Sequence, residues 1–234
     1  MSATGIVAAL TAEARTLEKP GTRPDHRPVQ TLSDGNLLVV SGMGPAAATQ
    51  GATLLLAAGA RSLLSFGLAG ALDPALRPGT VLLPDKVTDG SGAMHTTFGP
   101  WRDQLAARCE TLSIARGTLL SVAEVLPSAK AKSQQRSRSG ASAVDMESFA
   151  IARVAAQAGV NFAVARVVVD TAIDTLPRSV RRATGSFGEV HYGRLALGLG
   201  CAPWEIPALL RLAQRYRTAM RSLRRLGQHG VGWS

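Results

Sequence analysis

Residues 144–170 read VDMESFAIARVAAQAGVNFAVARVVVD, and their reading decides the fold. Met146, Phe149, Ala150, Val154 and Ala158 recur at helical spacing. Gly159 suits the position just past a helix end. Residues 162–169 then form a continuous apolar strand, interrupted by Arg166. The helix is expected to open with Asp145 and Glu147, and the strand ends in Asp170. A carboxylate just past an apolar strand of an open α/β sheet lies where such folds bind ligands. One in the first turn of a helix is held by backbone dipoles and can point out of the same edge. Glu147 and Asp170 are therefore expected to face one small-molecule pocket. Asp145 reads as an N-cap.

The same alternation runs outward through the chain. Residues 4–10 form an apolar run, the first buried strand, and residues 11–17 turn into a short helix with Glu13 near its start. Residues 19–27 read as a surface loop, and 29–32 and 37–41 flank Ser33-Asp34-Gly35, a hairpin signal. Residues 46–58 form a small-residue helix, and residues 62–68 the next strand, running into Ala69-Gly70. Strands are expected at 80–87 and 111–121, a mobile loop at 89–100 and a helix at 101–110. Residues 130–142, KAKSQQRSRSGAS, read mainly as a polar loop whose start continues a helix. Residues 171–203 are long and irregular, which predicts a functional or mobile loop. Residues 204–226 form a basic amphipathic helix with Leu209, Ala213, Tyr216, Met220 and Leu223 as its apolar stripe. Strands alternating with helices predict an α/β fold. Residues 1–234 show no internal boundary or repeat, so one domain is expected.

Composition bounds the function. Nearly half of the 234 residues are apolar, enough for a sizeable core. The net charge of +10 raises an anionic partner, either nucleic acid or a membrane surface, beside the plainer reading of an Arg-rich solvated face. The basic stretch at 130–142 lacks the interleaved aromatics that stack bases, so nucleic acid is not expected. After Glu205 there is no acid but there are six arginines, Arg211, Arg215, Arg217, Arg221, Arg224 and Arg225. That helix suits peripheral contact with an anionic membrane, or simple packing with exposed Arg. Cys109 and Cys201 show no disulfide or zinc spacing, and no secretory signal is read, so a reducing cytosol is expected.

Other chemistries read weakly. Gly42-Met43-Gly44-Pro45-Ala46-Ala47 follows a strand and precedes a helix, like a dinucleotide fingerprint. That motif needs an acid roughly 20 residues on, and residues 45–72 contain none. A backbone N–H nest for a small anion or sugar hydroxyl fits better, beside a tight turn for helix packing. His26, His95, His191 and His229 are dispersed, and serine-nucleophile and phosphate-loop motifs are absent. No metal or cofactor is expected.

Three segments carry a resemblance. SGMGPAAATQGATLLL, SFGLAGALDPALRPGTVLLPD and AVDMESFAIARVAAQAGVNFAVARVVVD resemble, in order and spacing, the nucleoside phosphorylase/nucleosidase superfamily, and within it the methylthioadenosine/S-adenosylhomocysteine nucleosidases. The C-terminal WEIPALLRLAQRYRTAMRSLRRL is most similar to hopanoid-associated nucleoside phosphorylases. The resemblance implies a single three-layer domain with a central mixed, mostly parallel sheet flanked by helices. It implies cleavage of the N-ribosidic bond of a 5′-substituted adenosine with release of adenine, the substrate being adenosylhopane. By the same resemblance Glu147 grips the ribose hydroxyls and stabilises the oxocarbenium-like sugar, with Met146 beside it. Asp170 protonates purine N7, and Glu13 orients or deprotonates the nucleophilic water. Gly42, Gly44, Ala69 and Gly70 are expected to line the substrate. A homo-oligomer is implied as well.

The sequence also departs from that pattern. Val169 stands where the nucleosidases commonly carry Ser, and Leu68-Ala69 fills a turn that usually holds Ser. Residues 62–66 lack the Arg with which many phosphorylases bind phosphate, so water and phosphate both stay open as nucleophile; Arg15, Arg23 and Arg166 are candidate substitutes. Soluble methylthioadenosine or S-adenosylhomocysteine is the alternative substrate. A silent nucleoside-binding or scaffold protein is the alternative class.

Overall fold

The computed structural model describes residues 3–18, 28–175 and 203–233. Among these residues eleven strands form one mixed sheet. Its centre is β4 (Ser62–Ala71), flanked in parallel by β1 (Thr4–Ala8) and β11 (Asn161–Asp170). The pair β2 (Gln30–Thr31) and β3 (Leu37–Val40) forms the expected hairpin, and β3 extends the parallel set beyond β1.

Most of the strands are apolar runs, as strands covered on both faces must be. Alternate side chains feed two cores. Val7, Leu63 and Val164 pack under α2 (Pro45–Ala57) and α5 (Ser148–Ala158). Ile6, Leu64 and Phe66 pack on the other face with Trp101 and Leu105 of α3 (Gly99–Arg108) and Leu223 of α6 (Ile206–Gln228). This is the three-layer α/β fold expected. The small residues of α2 let it lie close: a Cβ on Gly51 would stand 3.1 Å from Ser41 Cβ. Residues 36–60, uncharged in sequence, are thus a strand, a turn and a helix buried along one side through Ala48, Gly51, Ala52 and Leu55. Among the described residues no helix is long and apolar enough to cross a membrane.

β4 outlasts β1. Beyond Phe66 its vacated edge is taken up by β10 (Ala143–Asp145), which runs antiparallel to it at Gly70 and Ala71. A crevice opens where the neighbour changes, the kind of switch point at which α/β sheets bind ligands.

Several expectations are corrected. The helix of the 144–170 stretch starts at Ser148, because Ala143–Asp145 is held as strand by β4 and by β9 (Thr118–Ser121). Residues 80–87 are two short strands, β5 (Val81–Leu82) and β6 (Lys86–Thr88), divided at Pro84, which has no N–H to give a ladder. Residues 89–100 are not wholly loop: β7 (Met94–Thr96) pairs with β6. Residues 111–121 split into β8 (Ile114–Ala115) and β9 around Gly117, whose φ is +119°. The polar stretch expected to be mainly loop is α4 (Ala129–Ser139), capped by the Ser128 side chain and closed by left-handed Gly140. The loops expected at 19–27 and through most of 171–203 lie outside the described residues.

Candidate active site

A cavity of about 320 Å³ sits at the crevice. Glu13, Glu147 and Asp170 all line it, with Met146, Ala69 and Gly70. Most of the remaining wall is apolar, from Leu10, Met43, Leu68, Val122, Leu126 and Val169, and Tyr216 reaches it from α6. Of the expected glycines, Gly42 and Gly44 stand behind the lining, where Met43 between them faces the cavity.

Glu13 enters from α1 (Thr11–Ala14), the turn just past β1. Its Oε2 accepts the backbone N–H groups of Ala9 (3.1 Å) and Leu10 (3.0 Å), and its Oε1 that of Leu68 (2.8 Å). The carboxyl thus bridges the ends of β1 and β4. Burial, only partly offset by Arg166 and these amides, pushes its pKa up to about 7. Gly67 (φ +151°) makes room: a Cβ there would stand 2.5 Å from Glu13 Oε1 and 2.8 Å from Arg166 Nη1.

Glu147 lies at the N-cap position of α5. Its Oε1 accepts Gly44 N–H at 2.9 Å, and its Oε2 accepts Arg166 Nη2 at 3.2 Å. The glycine turn does not form the expected nest: Gly44 N–H alone meets a carboxylate, the protein's own Glu147, while Gly42 N–H is given to Ala9 O. Burial raises the Glu147 pKa above the ordinary value, against the pull of Arg166.

Arg166, read in the sequence as an interruption of β11, is the hub. It is fully buried, with Nε 3.1 Å from Asp145 Oδ2 off the N–H axis. Nη1 donates to Leu68 O (3.2 Å) and Nη2 to Ser65 Oγ (2.9 Å). Burial disfavours its charge, but Asp145, Glu147 and Glu13 outweigh that and hold its pKa above the ordinary value. Asp145 is therefore more than the expected cap. It accepts Ser148 N–H at 3.3 Å as a cap would, receives the Ser148 hydroxyl and Ser121 Oγ (2.5 Å), and neutralises Arg166.

Asp170 ends β11 at a bulge, paired with Gly70. Its Oδ2 accepts Lys132 Nζ at 2.7 Å; Oδ1, beside Gly70, is buried without a hydrogen-bond partner among the described residues. Burial raises its pKa and Lys132 opposes the rise, with the net shift upward. Lys132 was missed in the sequence. It sits in a helix of polar composition and reads there as a solvated charge, yet only 1 % of it is exposed. Val169 lies in the bulge and adds only apolar surface to the cavity.

The arrangement brings together around one largely apolar cavity Glu147 paired with Arg166, Asp170 with its raised pKa, and Glu13, whose pKa is about 7, between the ends of β1 and β4. Such a site can stabilise developing positive charge, protonate a leaving group and activate water.

The sequence profile of the phosphorylase superfamily matches residues 4–187, and the chain belongs to that superfamily. No curated protein matches it by sequence. Among solved structures it is similar to the 5′-methylthioadenosine/S-adenosylhomocysteine nucleosidase of Neisseria meningitidis in complex with methylthio-immucillin-A. That match has TM-score 0.71 and 16% identity, covering 98% of each chain. The corresponding Campylobacter jejuni nucleosidase gives TM-score 0.70 and 17% identity over 98% of each chain. A futalosine hydrolase mutant of Helicobacter pylori gives TM-score 0.64 and 20% identity, over 72% of this chain and 89% of that one.

Proposed function

We propose that the protein cleaves the N-ribosidic bond of a 5′-substituted adenosine, releases adenine and uses water as the nucleophile. The observation that carries this is the placement of Glu147, Asp170 and Glu13 around one otherwise apolar cavity. Ribosyl transfer builds positive charge on the sugar and negative charge on the base, and these groups meet both. Glu147, anchored by Gly44 and Arg166, accepts hydrogen bonds from the ribose hydroxyls and opposes the charge of the oxocarbenium-like sugar. Asp170 gives its proton to purine N7 as the C1′–N9 electron pair leaves with the base. Glu13 takes one proton from water, whose oxygen bonds to C1′. The products are adenine and a free ribosyl sugar; solvent returns Glu13 and Asp170 to their starting states.

Water is favoured over phosphate by the cations. Among the described residues, Arg166 and Lys132 are the cations that line the cavity, and carboxylates engage both. A phosphate dianion there would meet three carboxylates and no uncommitted cation.

The apolar wall supports an apolar 5′ substituent. Nucleosidases of similar fold are known in complex with methylthio-immucillin-A and with 5′-methylthioadenosine. Adenosylhopane, which the sequence resemblance implies, is the larger candidate. Trp204 (74 % exposed), Ile206 and Leu210 on and before the first turns of α6, with the arginines that follow, support peripheral docking on an anionic membrane that carries such a lipid. A homo-oligomer is proposed from the same resemblance.

The test is adenine release from methylthioadenosine, S-adenosylhomocysteine and a 5′-alkyl adenosine. Release from at least one, with kcat/KM rising with the apolar surface of the 5′ group, is expected. No release from any of them contradicts the proposal.

A further inference from the structure

We infer that Lys132 is the positioning residue of Asp170, orienting its carboxyl group and compensating the carboxylate that proton delivery leaves behind. This rests on the functional reading above.

The geometry divides the two oxygens of Asp170. Lys132 Nζ donates to Oδ2 at 2.7 Å and to Thr171 O at 2.8 Å, so one ammonium ties the end of β11 at two adjacent residues. Oδ1 is buried beside Gly70, and the Ala71 backbone also pulls on the carboxyl, so the group is held on both sides. Val169, next in the chain, has no group that can hydrogen-bond Asp170. The lysine is delivered by a rigid element: α4 is capped by Ser128, whose Oγ accepts Ala131 N–H at 3.2 Å, and closed by Gly140 at φ +66°. Lys132 is the buried residue of that helix. Burying an ammonium is costly unless it is paired, and its partners are the functional carboxylate and the adjoining carbonyl.

The chemistry follows from the charges that face Asp170. Lys132 faces it from α4. Asp174 lies in the turn after β11, ion-paired with Arg215 of α6, and Glu147, Arg166 and Glu13 lie across the cavity. When the carboxyl O–H bond of Asp170 breaks and N7–H forms, a carboxylate appears in a water-poor site. The ammonium at 2.7 Å balances it. Without Lys132, burial and Asp174 both hold the proton on Asp170 more tightly. Asp170 then becomes a weaker acid, and activity at its basic limb persists to higher pH while the plateau falls.

The experiment compares wild type, Lys132→Met and Lys132→Arg on two probes. Methylthioadenosine has a leaving group that needs a proton; 4-nitrophenyl riboside has one that does not. Lys132→Met is expected to lose about 100-fold or more in kcat on methylthioadenosine. Its basic limb should move to higher pH, and its turnover of the aryl riboside should stay near wild type. Lys132→Arg should recover most of the loss. Equal losses on both probes, an unmoved limb, or full activity of Lys132→Met overturn the inference. A wild type that releases no adenine overturns the functional reading itself, which separates the two failures. Should Lys132→Met fail to fold, Lys132→Gln carries the same comparison.

Discussion

Arg166 stands within reach of three buried carboxylates, and its position makes a strong prediction about stability. Removing one partner of a buried ion pair leaves an uncompensated charge, which costs more than the pair itself contributes. Arg166→Met strands Asp145 and Glu147 and takes donors from Ser65 and Leu68. It should lower stability by about 3–5 kcal/mol, read by urea denaturation. Glu147→Gln keeps the shape but loses the charge, so it should fold while kcat falls roughly 100- to 1,000-fold. Glu147 and Asp170 were legible in the sequence because an acid at the end of an apolar strand and one at the start of the adjoining helix lie at the edge where α/β sheets bind ligands. Arg166 and Lys132 were not. Each is explained by partners distant in sequence, 101 residues separating Arg166 from Ser65 and 38 separating Lys132 from Asp170.

Among the elements, β4 and the glycines around it set the geometry. Gly67 lies where β1 has ended and Glu13 and Arg166 converge, so Gly67→Ala must displace one of them. Turnover should collapse in that variant even where the fold survives. Gly44 is a milder case. A Cβ there meets nothing within 4 Å, but φ is +98°. Gly44→Ala should therefore cost about 1–3 kcal/mol of backbone strain. By shifting the N–H that holds Glu147, it should raise KM for the nucleoside more than it lowers stability, which kinetics and thermal melts on the same sample would separate. The long apolar strands and the 30–40 hairpin could be read from pattern alone. The short polar strand β7 could not, because its order comes from pairing with β6 rather than from periodicity. The polar helix α4 was hidden for a similar reason: caps and one buried lysine hold it, and it has no apolar stripe.

Across the whole molecule, Glu13 is expected to couple activity and stability to pH in opposite directions. In the proposed reaction Glu13, with its pKa pushed up to about 7, must be ionised to activate water, so kcat should fall with unit slope as pH drops below about 7. Folding has the other sign. Between the ordinary glutamate value and about 7 the folded chain holds a proton on Glu13 that the unfolded chain has released. Its contribution is therefore full at low pH and is lost as pH rises through that window. Glu147 and Asp170, also shifted upward, act in the same sense. Tm should fall from pH 5 to pH 7, the Glu13 proton accounting for a loss on the order of 1.4 kcal/mol per pH unit. The most direct measurement of the central claim is product analysis of methylthioadenosine turnover in ¹⁸O-water, with and without phosphate. The proposed reaction predicts adenine and a ribosyl sugar carrying ¹⁸O at C1′, at the same rate in both buffers. A sugar 1-phosphate formed only when phosphate is present, or no adenine in either buffer, would contradict it.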